Sequence, residues 1–182
     1  MKWLIASDIH GSAYYCEEIF RVFREEKADR VLLLGDLLYH GPRNRLPETY
    51  DPQKAISILN AHKEDILCVR GNCDTEVDQM VLEFPIMAEY AILTDGAQVV
   101  FATHGHKWNL NHLPPLRSND ILLHGHTHIP CRVCAPNGTM VLNPGSATLP
   151  KEKSHHGYMT WENGVFIWKD FDGHTIDTLT IK

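Results

Sequence analysis

The chain has 182 residues, 43% of them hydrophobic, which is enough for a compact core, and we predict a single domain over residues 1–182. The formal net charge is −6 at pH 7. A protein that grips the nucleic-acid backbone needs a basic surface, so this charge argues against nucleic acid as a partner.

Short apolar runs recur along the chain, and each of them ends in a polar cluster. Such runs, bounded by glycine, are typical of strands that are buried on both faces. Between the first three runs, Ser12 is placed to cap one helix, and Asp51-Pro52 is placed to begin another. The first half therefore alternates strand and helix, which predicts βαβ units and a parallel sheet. The six runs are 3–7, 31–34, 66–69, 99–102, 121–123 and 140–142.

The second half is richer in β-structure. Four turn-forming pairs separate strand-like segments there, as in β-hairpins: Asp95-Gly96, Asn137-Gly138, Asn163-Gly164 and Asp172-Gly173. Two sheets packed face to face, with helices outside, accommodate both halves. We therefore predict the α/β fold class.

The polar clusters carry aspartate, asparagine and histidine. In open α/β sheets, ligands bind beyond the carboxyl ends of the strands, so these loops are expected to meet at one rim. Carboxylate, amide and imidazole groups suit borderline or hard divalent metals. The predicted metal ligands are too many for one tetrahedral site and suit two ions that share a carboxylate: Asp8, His10, Asp36, Asn72, His104, His126 and His128.

Two metal ions suit the hydrolysis of phosphate esters. Ions ~3.5–4 Å apart stabilise both the attacking and the leaving oxygen, and they lower the pKa of a bridging water to give a hydroxide nucleophile. No serine lies in a Gly-x-Ser-x-Gly turn, so a hydrolase with an activated serine has no support.

Five motifs in order resemble the calcineurin-like metallophosphoesterase superfamily, and the small bacterial YfcE-type phosphodiesterases within it most of all. The resemblance runs over roughly residues 1–150 and implies a four-layer αββα sandwich of two mixed β-sheets flanked by helices. The motifs are Asp-x-His (8–10), Gly-Asp (35–36), Gly-Asn-Cys-Asp (71–74), Thr-His-Gly-His (103–106) and Gly-His-Thr-His (125–128), supported by HGPRN (40–44), EVDQM (76–80) and NPGS (143–146).

The resemblance also implies roles for the ligands. Asp8, His10 and His128 would hold one metal; Asn72, His104 and His126 would hold the other, with Asp36 bridging them. The implied enzyme is a metal-dependent phosphodiesterase that acts on a small phosphodiester through a metal-bridging hydroxide. Two divalent ions are expected, Mn²⁺ first, with Fe, Ni, Co or Zn as alternatives that this ligand set does not distinguish.

One position departs from the family pattern. Many members have a histidine where this chain has Cys73, and that histidine serves as the general acid for the leaving group. A thiol, with a reference pKa of ~8.5, is a poor substitute proton donor. Either His106 protonates the leaving oxygen, or the enzyme favours leaving groups that need little help. We expect faster turnover of activated aryl diesters than of alkyl diesters.

Residues beside the ligands are further candidates. Asp74 and His106 are the predicted catalytic residues. Asp74 would orient a ligand or instead cap the following helix, and His106 would contact the phosphate, donate a proton or only hydrogen-bond to a ligand. Arg43, Asn44 and Cys73 are the predicted substrate-binding residues. For Arg43 and Asn44 the alternative is an ordinary surface loop.

Cysteine usage and hydropathy bear on the compartment. Five cysteines are an odd number, which fits a reducing environment better than a disulfide-linked secreted protein. Cys131 and Cys134 would lie on opposite faces of a strand and could not chelate one metal. No stretch approaches the ~20 apolar residues that span a bilayer. These features predict a cytoplasmic protein that does not associate with membranes.

Two other functions are compatible with this fold. One is a protein-binding scaffold like the retromer subunit that the fold resembles, although here every ligand position is filled. The other is a nuclease, against which the lack of a basic surface counts. Self-association into a homo-oligomer stays open, since residues 165–168 could offer an apolar edge or face.

Overall fold

The computed structural model describes residues 1–96 and 98–181. The helices in these ranges are α1 (Ala13–Glu25), α2 (Pro52–Ala61) and α3 (Glu76–Val81). The strands are β1 (Trp3–Ala6), β2 (Arg30–Leu33), β3 (Ile66–Cys68), β4 (Tyr90–Asp95), β5 (Gln98–Thr103), β6 (Ile121–Leu123), β7 (Cys131–Cys134), β8 (Met140–Asn143), β9 (Gly157–Glu162), β10 (Val165–Asp170) and β11 (Thr175–Thr180).

The strands form two mixed sheets. One has the order β11-β10-β9-β1-β2-β3 and the other has the order β4-β5-β6-β8-β7. The pairs β1–β2 and β2–β3 are parallel, which confirms the predicted βαβ units. In the second sheet, β6 is parallel to both β5 and β8. The other pairs are antiparallel.

Alternating side chains of β1 and β2 divide between two cores, as expected for strands buried on both faces. Ile5 and Leu32 belong to the core between the sheets, where they meet Leu123 of the second sheet. Leu4 and Leu33 belong to the core that the first sheet forms with α1 and α2. The sheets thus stack face to face, with a helical layer on the first.

The outer face of the second sheet is covered differently from the four-layer expectation. Leu122 and Val141 pack there against Leu113 and Leu116, which lie in the irregular segment 104–120. This segment carries turns and one short bridge instead of a helix, and its consecutive prolines at 114 and 115 disfavour helical continuation. The predicted class, with two mixed sheets and flanking helices, is confirmed, and a loop supplies the fourth layer.

The predicted helix starts and hairpin turns are confirmed. Ser12 accepts a hydrogen bond from the backbone N–H of Tyr15, and Asp51 accepts one from Lys54. The four predicted turn pairs all lie between antiparallel strands, although Ala97, which follows the first of them, lies outside the described residues. No helix in the described part of the chain is long and apolar enough to cross a membrane.

Of the edge or face that residues 165–168 could offer for self-association, the structure leaves no edge, because β10 is an interior strand of its sheet. It pairs with β9 on one side and β11 on the other. Phe166 and Trp168 are buried in the core between the sheets. Cys131 and Cys134 both lie in β7, as the argument against chelation required, and neither belongs to a metal-capable group among the described residues.

Candidate metal centre

The predicted ligands follow the carboxyl ends of parallel strands. Because β1, β2 and β3 run parallel, as do β5 and β6, the loops that leave them meet at one edge of the sandwich. The ligands contributed in strand order are Asp8 and His10 after β1, Asp36 after β2, Asn72 after β3, His104 after β5, and His126 and His128 after β6.

The first group of ligand atoms comes from Asp8, His10 and His128. The Nε2 atoms of the two histidines are 3.2 Å apart. Asp8 Oδ1 lies 3.3 Å from His128 Nε2 and 3.7 Å from His10 Nε2. These residues are buried, and their ligand atoms are close enough to share one ion.

The second group comes from Asp36, His104 and His126, with Asn72 beside it. His104 Nε2 lies 3.2 Å from His126 Nδ1 and 3.1 Å from Asn72 Oδ1. Asp36 Oδ2 is 3.4 Å from His104 Nε2 and 3.8 Å from His10 Nε2. One oxygen of Asp36 therefore faces both groups, which is the position of a bridging carboxylate.

Three ligand histidines have a fixed tautomer. His10, His104 and His128 each donate a hydrogen bond from Nδ1 to a backbone carbonyl oxygen, at 2.7–2.8 Å. A carbonyl oxygen only accepts, so Nδ1 carries the hydrogen and Nε2 of the neutral ring presents a lone pair. Metal-bound histidines commonly have this arrangement. The facing Nε2 atoms of His10 and His128 then repel unless they share a cation.

The two aspartates each keep one oxygen for the centre. Asp8 Oδ2 accepts hydrogen bonds from Ser7 Oγ at 2.6 Å and from the backbone N–H of His126 at 3.0 Å. Asp8 Oδ1 is buried and has no hydrogen-bond partner among the described residues. Asp36 Oδ1 accepts from the Cys73 backbone N–H, which leaves Oδ2 to face the histidines. A buried carboxylate oxygen without a donor fits a metal ion.

The charge distribution at the centre favours cations. Burial by itself would raise the pKa of Asp8, but His10 and His128 hold it well below its usual value. Burial by itself would lower the pKa of His104, but Asp36 and Asp8 raise it to about 9. The raised pKa of His104 reflects a negative field that would equally attract a divalent cation, which would take the place of the ring proton. With the free carboxylate oxygen of Asp8, the residues present therefore fit divalent metal ions.

The backbone is strained at the ligands. Residues other than glycine avoid positive φ, at a cost of roughly 1–2 kcal/mol each, and such residues cluster at functional sites. The strand ends curl in this conformation so that their side chains converge. Five ligands have positive φ: Asp8 at 57°, His10 at 50°, Asp36 at 56°, His126 at 67° and His128 at 62°.

Two glycines allow the ligand loops to approach each other closely. A Cβ atom at Gly71 would overlap the Asp36 carboxylate, and one at Gly125 would overlap the Ser7 hydroxyl. The glycines of the Gly-Asn and Gly-His motifs therefore make room for the carboxylates that the neighbouring loops present.

Asp74 anchors the backbone of the loop that carries Asp36. Its carboxylate accepts hydrogen bonds from the backbone N–H groups of Asp36, Leu37 and Gly71, at 2.7–2.8 Å. It therefore orients a ligand, as one of the two interpretations predicted. The capping interpretation is wrong, because the Thr75 side chain caps α3. With both oxygens used by the backbone, Asp74 is a positioning residue.

The predicted substrate-binding residues line a cavity of about 330 Å³ at the centre. Arg43, Asn44 and Cys73 face it together with Asp36, His126 and His128. Asn44 donates a hydrogen bond to the His40 carbonyl oxygen, which orders its loop, while Arg43 is exposed. The structure thus brings all three predicted residues to the ligands.

Cys73 and His106 have different neighbours among the proposed ligands. The Cys73 side chain is buried beside His10 and Asp36, and burial together with Asp36 raises its pKa. His106 is exposed, and its ring centroid lies 5.5 Å from that of His104 and 6.2 Å from that of His126. Desolvation and the nearby His104 lower the pKa of His106.

Several supporting residues were not predicted individually. Asn143 donates hydrogen bonds to the Gly125 carbonyl and Thr127 hydroxyl oxygens, and Ser146 donates to the Asp8 carbonyl oxygen. Both belong to the NPGS segment, so that motif was the available signal. Lys151 lines the cavity beside His128, whose carbonyl oxygen accepts from the Lys151 backbone N–H. No sequence pattern marked Lys151.

Comparison with known proteins gives close and distant relatives. The chain is 44% identical over 166 residues to the phosphodiesterase YfcE of Escherichia coli strain K12, covering 91% of this chain and 89% of the relative. A solved structure of YfcE, a phosphoesterase from E. coli, superposes with a TM-score of 0.95 at 40% identity and covers all of both chains.

More distant structures share the fold alone. Vps29 from Entamoeba histolytica, in complex with zinc, superposes with a TM-score of 0.61 at 22% identity, covering 98% of each chain. The sequence profile of the calcineurin-like phosphoesterase superfamily domain matches residues 1–163. The chain therefore belongs to the calcineurin-like phosphoesterase superfamily.

Proposed function

We propose that the chain is a metal-dependent phosphodiesterase with a dinuclear centre. Asp8, His10 and His128 hold one ion, and Asp36 is shared with the second. The remaining ligands of the second ion are Asn72, His104 and His126. The main support for this proposal is the position of Asp36 Oδ2 between the two groups of ligands. It lies 3.4 Å from Nε2 of His104 in one group and 3.8 Å from Nε2 of His10 in the other.

When bound, two divalent ions would lower the pKa of a shared water to supply the attacking hydroxide and would stabilise the charge on the phosphoryl oxygens. Mn²⁺ is the expected ion, and Fe, Ni, Co and Zn suit the same donors. The proposed diesterase activity follows from the similarity to the E. coli relative, which is named a phosphodiesterase.

The protein's own residues would place the substrate. The cationic Arg43 and the Asn44 amide line the cavity and would hold a phosphoryl oxygen. His106, exposed beside His104, is the proposed proton donor to the leaving oxygen. The family pattern implies a histidine in many members where this chain has Cys73, so the enzyme would favour small diesters with good leaving groups.

The alternative functions have less support. A purely structural scaffold would not need a buried, unpartnered Asp8 oxygen or three histidines with aligned lone pairs. A nuclease would need a basic surface, and the chain carries a net charge of −6.

The test is metal removal and replacement. Protein stripped with chelator should lose hydrolysis of bis-p-nitrophenyl phosphate and regain it with Mn²⁺. Asp36→Asn should remove activity and lower the bound metal measured by mass spectrometry from about two ions per chain, whereas Glu162→Gln, at an exposed position, should change neither. Full activity in the stripped protein, or in Asp36→Asn, would refute the proposal.

A further inference from the structure

A second cavity, of about 480 Å³, lies beside the active-site cavity. It is lined by Tyr14 and Tyr15 at the start of α1, by His156 and by residues from two loops. We call these loops the walls: residues 41–49 and residues 148–151. Both walls also line the active-site cavity, through residues 41–44 and Lys151. The two cavities are therefore neighbours between the same pair of loops.

Hydrogen bonds fix one wall to His128 and to Ile9, and the other wall to Ser12, close in sequence to His10. Leu149 accepts a hydrogen bond from Nδ1 of His128 at 2.7 Å, and Thr148 Oγ1 donates to the carbonyl oxygen of Ile9 at 2.7 Å. On the other wall, the Thr49 hydroxyl pairs with the Ser12 hydroxyl at 2.5 Å, two residues beyond His10. The second cavity is thus held at a constant position relative to the metal centre.

The lining of this cavity combines aromatic and apolar side chains with polar ones, among them the carboxylate of Glu48. The rings of Tyr15 and His156 stack with centroids 4.6 Å apart and planes 7° apart, and Tyr14 packs edge-on against Tyr15 at 5.0 Å. Tyr14 is 49% exposed and Leu46 is 59% exposed, so both offer apolar surface inside a concavity. Arg45 adds a cation. Such a surface suits a flat ring that carries polar substituents.

We propose that the second cavity is a subsite for the retained ester group of the substrate, and that this group is a flat aromatic one of nucleoside size. The inference rests on the proposed function. A phosphodiester has two ester groups, of which hydrolysis releases one with its oxygen. The other stays on the phosphate and has to lie beside the metal centre, where the walls lead into the aromatic cavity.

The test compares two diesters with the same p-nitrophenolate leaving group. One is thymidine 5′-(p-nitrophenyl phosphate) and the other is methyl p-nitrophenyl phosphate, whose retained group is too small for the cavity. Tyr14→Ala and Leu46→Ala should each lower kcat/KM for the thymidine ester about fivefold to tenfold, because the first removes a stacking contact and the second removes apolar contact with the base. Both should leave the methyl ester unaffected.

The control is Tyr90→Ala, which removes another half-exposed tyrosine, on β4 and outside the cavity, and should change neither substrate. Equal losses on both esters, or no loss on the thymidine ester, would overturn the subsite.

Saturation-transfer NMR of chelator-stripped protein with thymidine gives a readout that needs no activity. Transfer to the thymine methyl group should occur in wild type and vanish in the Tyr14→Ala/Leu46→Ala double variant, and its absence in wild type would refute the subsite. Failure of metal-dependent hydrolysis of both esters would instead refute the proposed function.

Discussion

The metal ligands and the walls of the site are held in different ways. Asp8, His10 and His104 have no exposed surface, and hydrogen bonds from the backbone or to it fix each of them. On the walls, Arg43 and Leu46 are exposed, and it is mostly the backbone of these loops that is anchored.

This difference separates reaction class from substrate choice. Substituting a metal ligand leaves other buried charged or polar groups without a partner, and each such group costs on the order of several kcal/mol. Changing a wall side chain removes one contact that solvent can replace. We therefore expect substitutions among the ligands to abolish the reaction and substitutions on the walls to alter preference between substrates.

The largest expected effect comes from a pair of neighbouring histidines. His104→Ala should reduce kcat/KM on bis-p-nitrophenyl phosphate by about 1,000-fold, because it removes a buried metal ligand. His106→Ala, two residues away but exposed, should cost only about tenfold on this substrate, less than the ~100-fold or more of a general acid on a poor leaving group, because p-nitrophenolate needs little protonation. Steady-state kinetics at saturating Mn²⁺ measure both, and circular dichroism checks the fold. Similar losses in the two variants would show that burial does not distinguish a metal ligand from a neighbouring exposed histidine.

A smaller effect is expected at Asp74, which contacts backbone and not substrate. Asp74→Asn replaces an acceptor of three N–H groups by a side chain with one acceptor oxygen. Activity and Mn²⁺ affinity should fall about 10-fold to 100-fold, as for other groups that orient a ligand. Excess Mn²⁺ should restore part of the activity.

Asp78→Asn is the matched control for this change, since Asp78 caps α3 together with Thr75 and lies on the surface. Titration calorimetry should show unaltered Mn²⁺ binding for it. If Asp74→Asn also bound Mn²⁺ like wild type, the carboxylate would not be positioning Asp36.

Cys73 tests the boundary between ligands and walls, because it is buried beside Asp36 yet lines the cavity. Cys73→His should raise the rate on an alkyl diester relative to an aryl diester by about tenfold, less than the ~100-fold or more of a fully positioned general acid because the introduced imidazole has no hydrogen bonds that orient it. Cys73→Ser, which adds no imidazole, should leave the ratio near that of wild type. An unchanged ratio in Cys73→His would contradict the account of the missing acid.

The convergence of the proposed ligands could be predicted from the sequence, and so could the place of Arg43 and Asn44 beside them, but the cavity that the two walls enclose could not. Each proposed ligand follows an apolar run that forms a strand. Because the carboxyl ends of parallel strands lie at the same edge of a sheet, the residues that follow them could be expected to converge there. Tyr14, Leu46 and Lys151 come together only through the packing of loops without periodicity, and no local pattern marks such a meeting.

The role of Asp74 and the form of the outer layer each have a local cause. Asp74 lies one residue before Thr75, and the Thr75–Asp78 spacing is itself a capping-box signal that left the Asp74 carboxylate available for the Asp36 loop. The fourth layer came from the family pattern, and prolines 114 and 115 of this chain work against a helix there.

The smallest expected effect on activity is at Glu26, whose carboxylate is held by several hydrogen bonds, as the metal ligands are, but lies outside the metal centre. The Glu26 carboxylate accepts hydrogen bonds from Lys2, Lys169 and Tyr158 at 2.6–3.0 Å. Burial opposes its ionisation, but these partners lower its pKa from 4.5 to about 2. Since the folded pKa is depressed, the stabilisation is full above pH 4.5 and is lost as the pH falls towards 2.

Glu26→Gln should therefore lower the free energy of unfolding by about 2–3 kcal/mol at pH 7, and the difference from wild type should shrink between pH 4.5 and about 2. Its kcat/KM on bis-p-nitrophenyl phosphate should match wild type, because the group lies far along α1 from the ligand loops. Urea unfolding across this pH range, with Glu162→Gln as the exposed control, measures the first effect. A constant difference at all pH values would mean that the Glu26 charge does not stabilise the fold. Reduced activity of Glu26→Gln at unchanged metal content would mean that the hydrogen bonds of Glu26, although outside the metal centre, also contribute to the reaction.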